Sequence, residues 1–126
     1  MSAGRQSPKQ LPDMPKYTAY KRLELFGLSK KLVVACYELT ADLPREEKTN
    51  FVRYIRTSAI SLHLSIAQGA FSRPKKRKKH MRAAENALVI IDAAVGILVE
   101  VGFATADQTD PVVSLSASCK RLLEDW

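Results

Sequence analysis

Residues 81–101 read MRAAENALVIIDAAVGILVEV. Within this stretch Met81, Ala84, Leu88, Ile91, Val95 and Leu98 recur at steps of three and four, which stacks them on one face of an α-helix. A second apolar stripe, Ala87, Ile90, Ala94, Ile97 and Val101, runs along the same helix. One seam is enough to pack a helix into a bundle. A helix apolar on two faces is either central or buried against another subunit. The bland reading is a broad core face; the sharper one is an oligomer interface on the second stripe. Gly96 points to close helix approach there, since an interior glycine costs a helix about 1 kcal/mol against alanine.

The same spacing recurs outward in both directions. Leu25, Leu28, Leu32, Ala35 and Leu39 form one seam, and Phe51, Ile55, Ser58, Leu62, Ser65 and Gly69 another. Val112, Leu115, Cys119, Leu122 and Trp126 form the last. Four seams predict an all-α, up-down-up-down four-helix bundle, with helices about 18–42, 45–70, 75–101 and 110–125. Four helices leave no central position, which favours the interface reading of the second stripe. The breaks have local causes. Pro44 disfavours helical geometry at Leu43, Gly69 and Pro74 bracket the second turn, and Gly102 stands where a helix stop is expected. Asp110-Pro111 reads as an N-cap and first-turn proline. Residues 1–16, with Pro8, Pro12 and Pro15 and no periodicity, are expected to form a flexible arm; residues 17–126 form the bundle.

A chain of 126 residues suits one domain. No apolar run approaches the ~20 residues of a membrane span, and no signal-peptide pattern opens the chain, so a cytoplasmic protein is expected. Cys36 and Cys119 are too few to staple the fold and are expected as free thiols. The net charge of +7 is localised: Arg73, Lys75, Lys76, Arg77, Lys78, Lys79 and Arg82 occur with no acid among them, while the remaining thirteen Lys and Arg are matched by thirteen Asp and Glu. A focused basic patch points to a polyanionic partner, RNA or DNA. Lysine predominates and no aromatic lies inside the run, which favours phosphate contacts over base reading. A solvated face, an acidic protein partner or a nuclear-import signal are the competing readings. Lys30, Lys31, Arg53 and Arg56 either extend the patch or pair with acids such as Glu38 and Asp92.

No catalytic motif is visible: the chain has no nucleophile elbow, P-loop or dinucleotide fingerprint. His63 and His80 lack ligand spacing, so no metal or cofactor and no small-molecule substrate is expected. His63 is expected as a packed side chain and His80 as part of the basic face. Serines 58, 61, 65 and 72 suit close helix packing better than nucleophilic roles.

The stretch Asp42-Leu43-Pro44-Arg45-Glu46-Glu47, followed by Arg53 through Gly69, resembles a bacterial superfamily of four-helix bundle proteins. It includes proteins encoded in intervening sequences of 23S ribosomal RNA genes and the accessory variability determinant (Avd) of diversity-generating retroelements. Met81 through Leu88, Val99 through Ala104, and the ending Cys119 through Trp126 look more like Avd. The resemblance covers about residues 20–126. It implies a homopentamer that binds nucleic acid and partners a reverse transcriptase in mutagenic cDNA synthesis. The alternatives are a stand-alone bundle of the intervening-sequence type, or a scaffold that docks an acidic protein through its basic run.

Overall fold

The computed structural model describes residues 13–126, with side chains described from Ala19 onward. Four α-helices follow one another: α1 (Asp13–Thr40), α2 (Phe51–Ala70), α3 (Pro74–Glu100) and α4 (Ala106–Glu124). A 3-10 turn, Arg45–Thr49, lies between the first two, and no strand occurs among the described residues. The arm expected over residues 1–16 falls, as far as residue 12, outside the described residues; Asp13–Lys16 belong to α1.

The helices run up, down, up and down. Lys21 near the start of α1 pairs at 2.9 Å with Asp125 just beyond α4. Arg56 early in α2 reaches Thr40 at the end of α1. Each helix packs on two neighbours, and the backbones of the diagonal pairs α1/α3 and α2/α4 stay more than 8 Å apart. Contact is broadest between α2 and α3, which carry the buried small residues Ser58, Ala59, Gly69, Ala84 and Ala87. Small side chains let helix axes approach closely and multiply van der Waals contacts. The α3–α4 seam is the narrowest and leaves an open cleft lined by residues such as Gly96, Val99, Val113 and Ala117. Gly96 therefore lies on the α4 side of α3, and a Cβ added there would meet nothing within 4 Å. It brings no helix close within the chain.

The core follows the seams. Leu25, Leu32, Ile55, Leu62, Ile91, Leu98 and Val112 are fully buried, each stabilising the fold by about 1.5–3 kcal/mol. Every helix also buries positions beside its seam, including Ser29 and Cys36 on α1, Ile66 on α2 and Ser116 and Leu123 on α4. A helix facing two neighbours must cover a stripe wider than two positions per heptad. Seam residues at the stripe's rim, Leu28, Leu39, Phe51, Leu115 and Leu122, are half-buried instead. Both cysteines are free and buried.

Besides the earlier start of α1, at Asp13 rather than about residue 18, helix ends differ from expectation in two places. The segment from Arg45 is not the first turn of α2: it is held by short-range bonds, Glu47 N–H to Pro44 O (2.9 Å) and Asn50 N–H to Glu47 O (3.0 Å). Asn50, at φ −112° and ψ −105°, separates it from the helix. Helix α4 begins at Ala106 rather than near Asp110. Thr105 caps it through a reciprocal box, its hydroxyl accepting from Gln108 N–H (3.1 Å) and Gln108 Oε1 accepting from Thr105 N–H (2.8 Å). Pro111 sits in the second turn of the helix, where its missing amide forgoes the bond that position would make to Asp107 O. Helix α3 ends as expected at Gly102, whose φ of +82° suits glycine. Phe103 N–H bonds to Leu98 O (2.9 Å) and Gly102 N–H to Val99 O (3.1 Å), the paired bonds of a Schellman stop.

Candidate nucleic-acid interface

The basic run is built on the first turns of α3. Arg73 occupies the N-cap in extended backbone without a side-chain cap, and Pro74 fills the first helical position. The Lys76 and Arg77 amides both bond to Arg73 O at 3.0 Å. Proline's fixed φ starts the helix, and its missing amide is one the first turn leaves unbonded anyway. From there, Lys75, Lys78, Lys79 and Arg82 fall on one helical face about 11 Å long. Arg73, Lys75, Lys76, Lys78, Lys79 and Arg82 are exposed, and none forms an ion pair among the described residues. No acid occupies the first turn of α3, so these cations oppose the positive end of the helix dipole uncompensated.

Arg77 behaves differently. Half-buried, it turns back to α2, donating from Nε to Gly69 O (3.3 Å) and from Nη2 to Ser72 O (3.0 Å). It fastens the α2–α3 turn rather than facing solvent. Arg56 plays the same part at the opposite end: Nε donates to Thr40 Oγ1 (2.8 Å) and Nη2 to Tyr37 O (3.3 Å), with the guanidinium 4.3 Å over the Tyr37 ring. Both arginines serve carbonyls or hydroxyls at helix C-termini, where cations are favoured. Neither Arg53 nor Arg56 forms an ion pair with Glu38 or Asp92 among the described residues; Asp92 accepts from the Ser116 hydroxyl at 2.8 Å.

The proposed basic residues therefore do not converge on one surface. Those from Arg73 to Arg82 gather at the end of the bundle where α2 meets α3. Arg53 and Arg56 precede Gly69 by 16 and 13 residues, placing them about 20–24 Å away along α2. Lys30 and Lys31 are exposed at mid-length on α1, Lys30 lying 5.7 Å from the Phe26 ring. Two cations that sequence reasoning passed over, Lys21 and Arg22, stand instead at the basic end. Lys21 is paired with Asp125. Desolvation, and then the Arg77 cation, push the Arg22 guanidinium below its ordinary pKa. Arg22 lies 6.0 Å from the Trp126 ring, and neither its Nε nor the Trp126 indole N–H finds an acceptor among the described residues. The Lys21-Arg22 doublet was visible in the sequence, but only folding brings it beside residue 77.

An aromatic also escaped the sequence reading. Phe71, two residues before Arg73, is 92% exposed. It joins Ala19, Arg22, Leu23, Phe26 and Ala70 around an open, mainly apolar cleft of about 300 Å³.

Both histidines are half-buried. His63 packs on Phe26 with ring centroids 4.6 Å apart and the rings tilted by 43°, and its Nδ1 lies 2.7 Å from Ser29 Oγ. Ser29 Oγ also lies 3.0 Å from Phe26 O. Burial, and then the Lys30 charge, lower the His63 pKa. His80 is half-buried, its Cβ 3.4 Å from where a Gly69 Cβ would stand, rather than on the open basic face. Trp126 packs over that same glycine, Cη2 lying 3.1 Å from the added Cβ position. Among the described residues no three His, Cys, Asp or Glu gather into a metal-holding group, and no helix is long and apolar enough to cross a membrane.

On the outer stripe of α3, Ile90, Ile97 and Val101 are 46%, 49% and 52% exposed, and Ala94 is half-buried at its margin. Ala87, 4% exposed, belongs to the bundle core instead.

The fold and surface together define an all-α bundle with a concentrated cationic end. Residues 21–125 match the family described as 23S rRNA-intervening sequence protein. The chain belongs to that family, the match covering all four helices apart from the first residues of α1. Comparison with curated proteins finds no match.

Proposed function

We propose that this protein is a non-catalytic nucleic-acid-binding bundle of the cytoplasm that holds RNA or DNA by its phosphates at the start of α3. One observation carries the reading: six exposed cations between Arg73 and Arg82 stand without an acidic partner among the described residues. Like charges at this density repel one another and oppose the helix dipole, a cost that a phosphate backbone removes. The family's name, which ties it to 23S rRNA, favours RNA.

The test is fluorescence anisotropy with labelled RNA and DNA across a salt series. Wild type is compared with a variant carrying Lys75→Gln, Lys76→Gln, Lys78→Gln and Lys79→Gln. Losing four phosphate contacts lowers the log–log salt slope by about 3 on single strands. An unchanged slope, or no binding by wild type at low salt, defeats the proposal.

Assembly belongs to the same reading. The exposed Ile90, Ile97 and Val101, with Ala94, are the surface through which copies associate, and the resemblance to Avd makes the assembly a homopentamer. A ring repeats the basic end and turns a modest patch into a multivalent one. Ile97→Lys is expected to yield monomers in sedimentation equilibrium. The narrowest form of the reading, an accessory to a reverse transcriptase, draws its support from the Avd-like stretches alone; co-purification with such a polymerase tests it.

A further inference from the structure

Phosphate contacts alone do not explain Phe71. A phenylalanine almost wholly in water, at the C-terminal turn of α2, adds nothing to the core. It borders the cleft between α1 and α2, whose other walls are Ala19, Arg22, Leu23, Phe26 and Ala70. The cleft lies close to the start of the basic run, since Phe71 on its wall is two residues from Arg73. Lys75 is four residues from Phe71, so their Cα atoms lie within about 14 Å. Arg22, on the cleft wall, feels the Arg77 cation and has an Nε without an acceptor among the described residues. Negative charge at the cleft mouth would relieve that repulsion. An exposed ring, an apolar slot and a dense row of cations beside them match one occupant by chemistry: a base with its face free, on a strand whose phosphates continue along the cations. Duplex bases are already stacked and offer no such face.

Resting on the nucleic-acid reading above, we infer that the site takes single-stranded nucleic acid, with one unstacked base held against Phe71 in the α1–α2 cleft and the adjoining phosphates on Arg73, Lys75 and Lys76. The aromatic selects single strands, and the cations supply attraction without regard to sequence.

Anisotropy with three labelled probes of equal length separates the parts: an oligouridine, an RNA duplex and an abasic phosphodiester chain. Wild type is expected to bind the oligouridine most tightly. Phe71→Ala is expected to weaken that binding on the order of tenfold or more, with the salt slope and duplex affinity unchanged. Phe71→Tyr, which keeps the ring, is expected to restore it. Because Phe71 is exposed, these variants keep the fold, and helical circular dichroism checks this. If wild type binds all three probes equally, or Phe71→Ala weakens all three equally or none, stacking is overturned while the phosphate reading survives. If wild type binds none of them, both readings fall together.

Discussion

Replacing Arg77 with glutamine is expected to destabilise the fold, whereas the same change at its neighbours Lys76 and Lys78 is not. Among the described residues, Arg77 is the one cation of the run tied to backbone carbonyls. The Gly69 carbonyl also accepts from Ser72 N–H at 3.3 Å, so the Ser72 carbonyl is the acceptor that loses most. Two charge-assisted bonds in a half-exposed position contribute about 1–2 kcal/mol together. Relief of the repulsion between Arg77 and Arg22 returns part of this, leaving a net loss of about 1 kcal/mol. For a domain of this size that lowers Tm by about 3–6 °C. Lys76→Gln and Lys78→Gln remove cations from the wrong end of a helix dipole, so their Tm should hold or rise slightly. Arg77→Lys should not rescue, because an ammonium lacks the planar fork that spans two carbonyls. Thermal melts followed by circular dichroism at 222 nm read all four variants. Equal melting of Arg77→Gln and Lys78→Gln would refute the distinction between a structural arginine and its solvent-facing neighbours. In a double-mutant cycle, Arg22→Gln and Arg77→Gln together should cost more than their separate costs added, because each single change already relieves the repulsion they share.

Thr105→Ala removes the capping box of α4 and should lower stability by about 1 kcal/mol in urea denaturation, while Asp110→Ala, outside the cap, should not. His63 gives an acid-side signature. Its folded pKa is depressed, so the stability it supplies is full above the unfolded value of about 6.5 and is lost as pH falls through the folded value. The urea midpoint should therefore fall on acidification below about 6.5, and His63→Gln should flatten that limb. The cysteines give the alkaline counterpart. Burial pushes Cys36 up to about 12 and Cys119 up to about 11, while unfolded thiols ionise near 8.5, at roughly the ordinary value. The folded state then holds protons that the unfolded state has released, so stability should decline as pH rises above about 8.5. Iodoacetamide should label both thiols only after unfolding.

The core was legible because burial follows periodicity. Ala84, Leu88, Ile91, Val95 and Leu98 are all buried as their spacing requires. The start of α4 was misread because Asp110-Pro111 has the chemistry of a cap. The true signal, Thr105 followed three residues later by Gln108, was present but lay in a stretch without apolar periodicity. The 3-10 turn was absorbed into α2 because Arg45–Thr49 has helix-compatible composition, and a shift in hydrogen-bond pattern leaves no mark on composition. The basic site was legible as a charge excess. That Arg77 and Arg56 are occupied by carbonyls and a hydroxyl was not, since a count of cations contains no partners. Phe71 was missed for a related reason: its exposure is set by the α1–α2 cleft, which joins residues some fifty positions apart.

The unequal seams of the bundle make its resistance to opening uneven. With α2 and α3 joined along the broadest contact and α3 and α4 along the narrowest, α4 is held chiefly from the α1 side. Amide protons in α4 should then reach solvent through partial openings that leave the α2–α3 hairpin closed, so exchange divides the molecule into a slow hairpin and a faster outer helix. The cationic end stands on the slow part. A polyanion pulling on that end therefore grips the most durable unit of the fold, and α4 remains free to loosen while the grip holds.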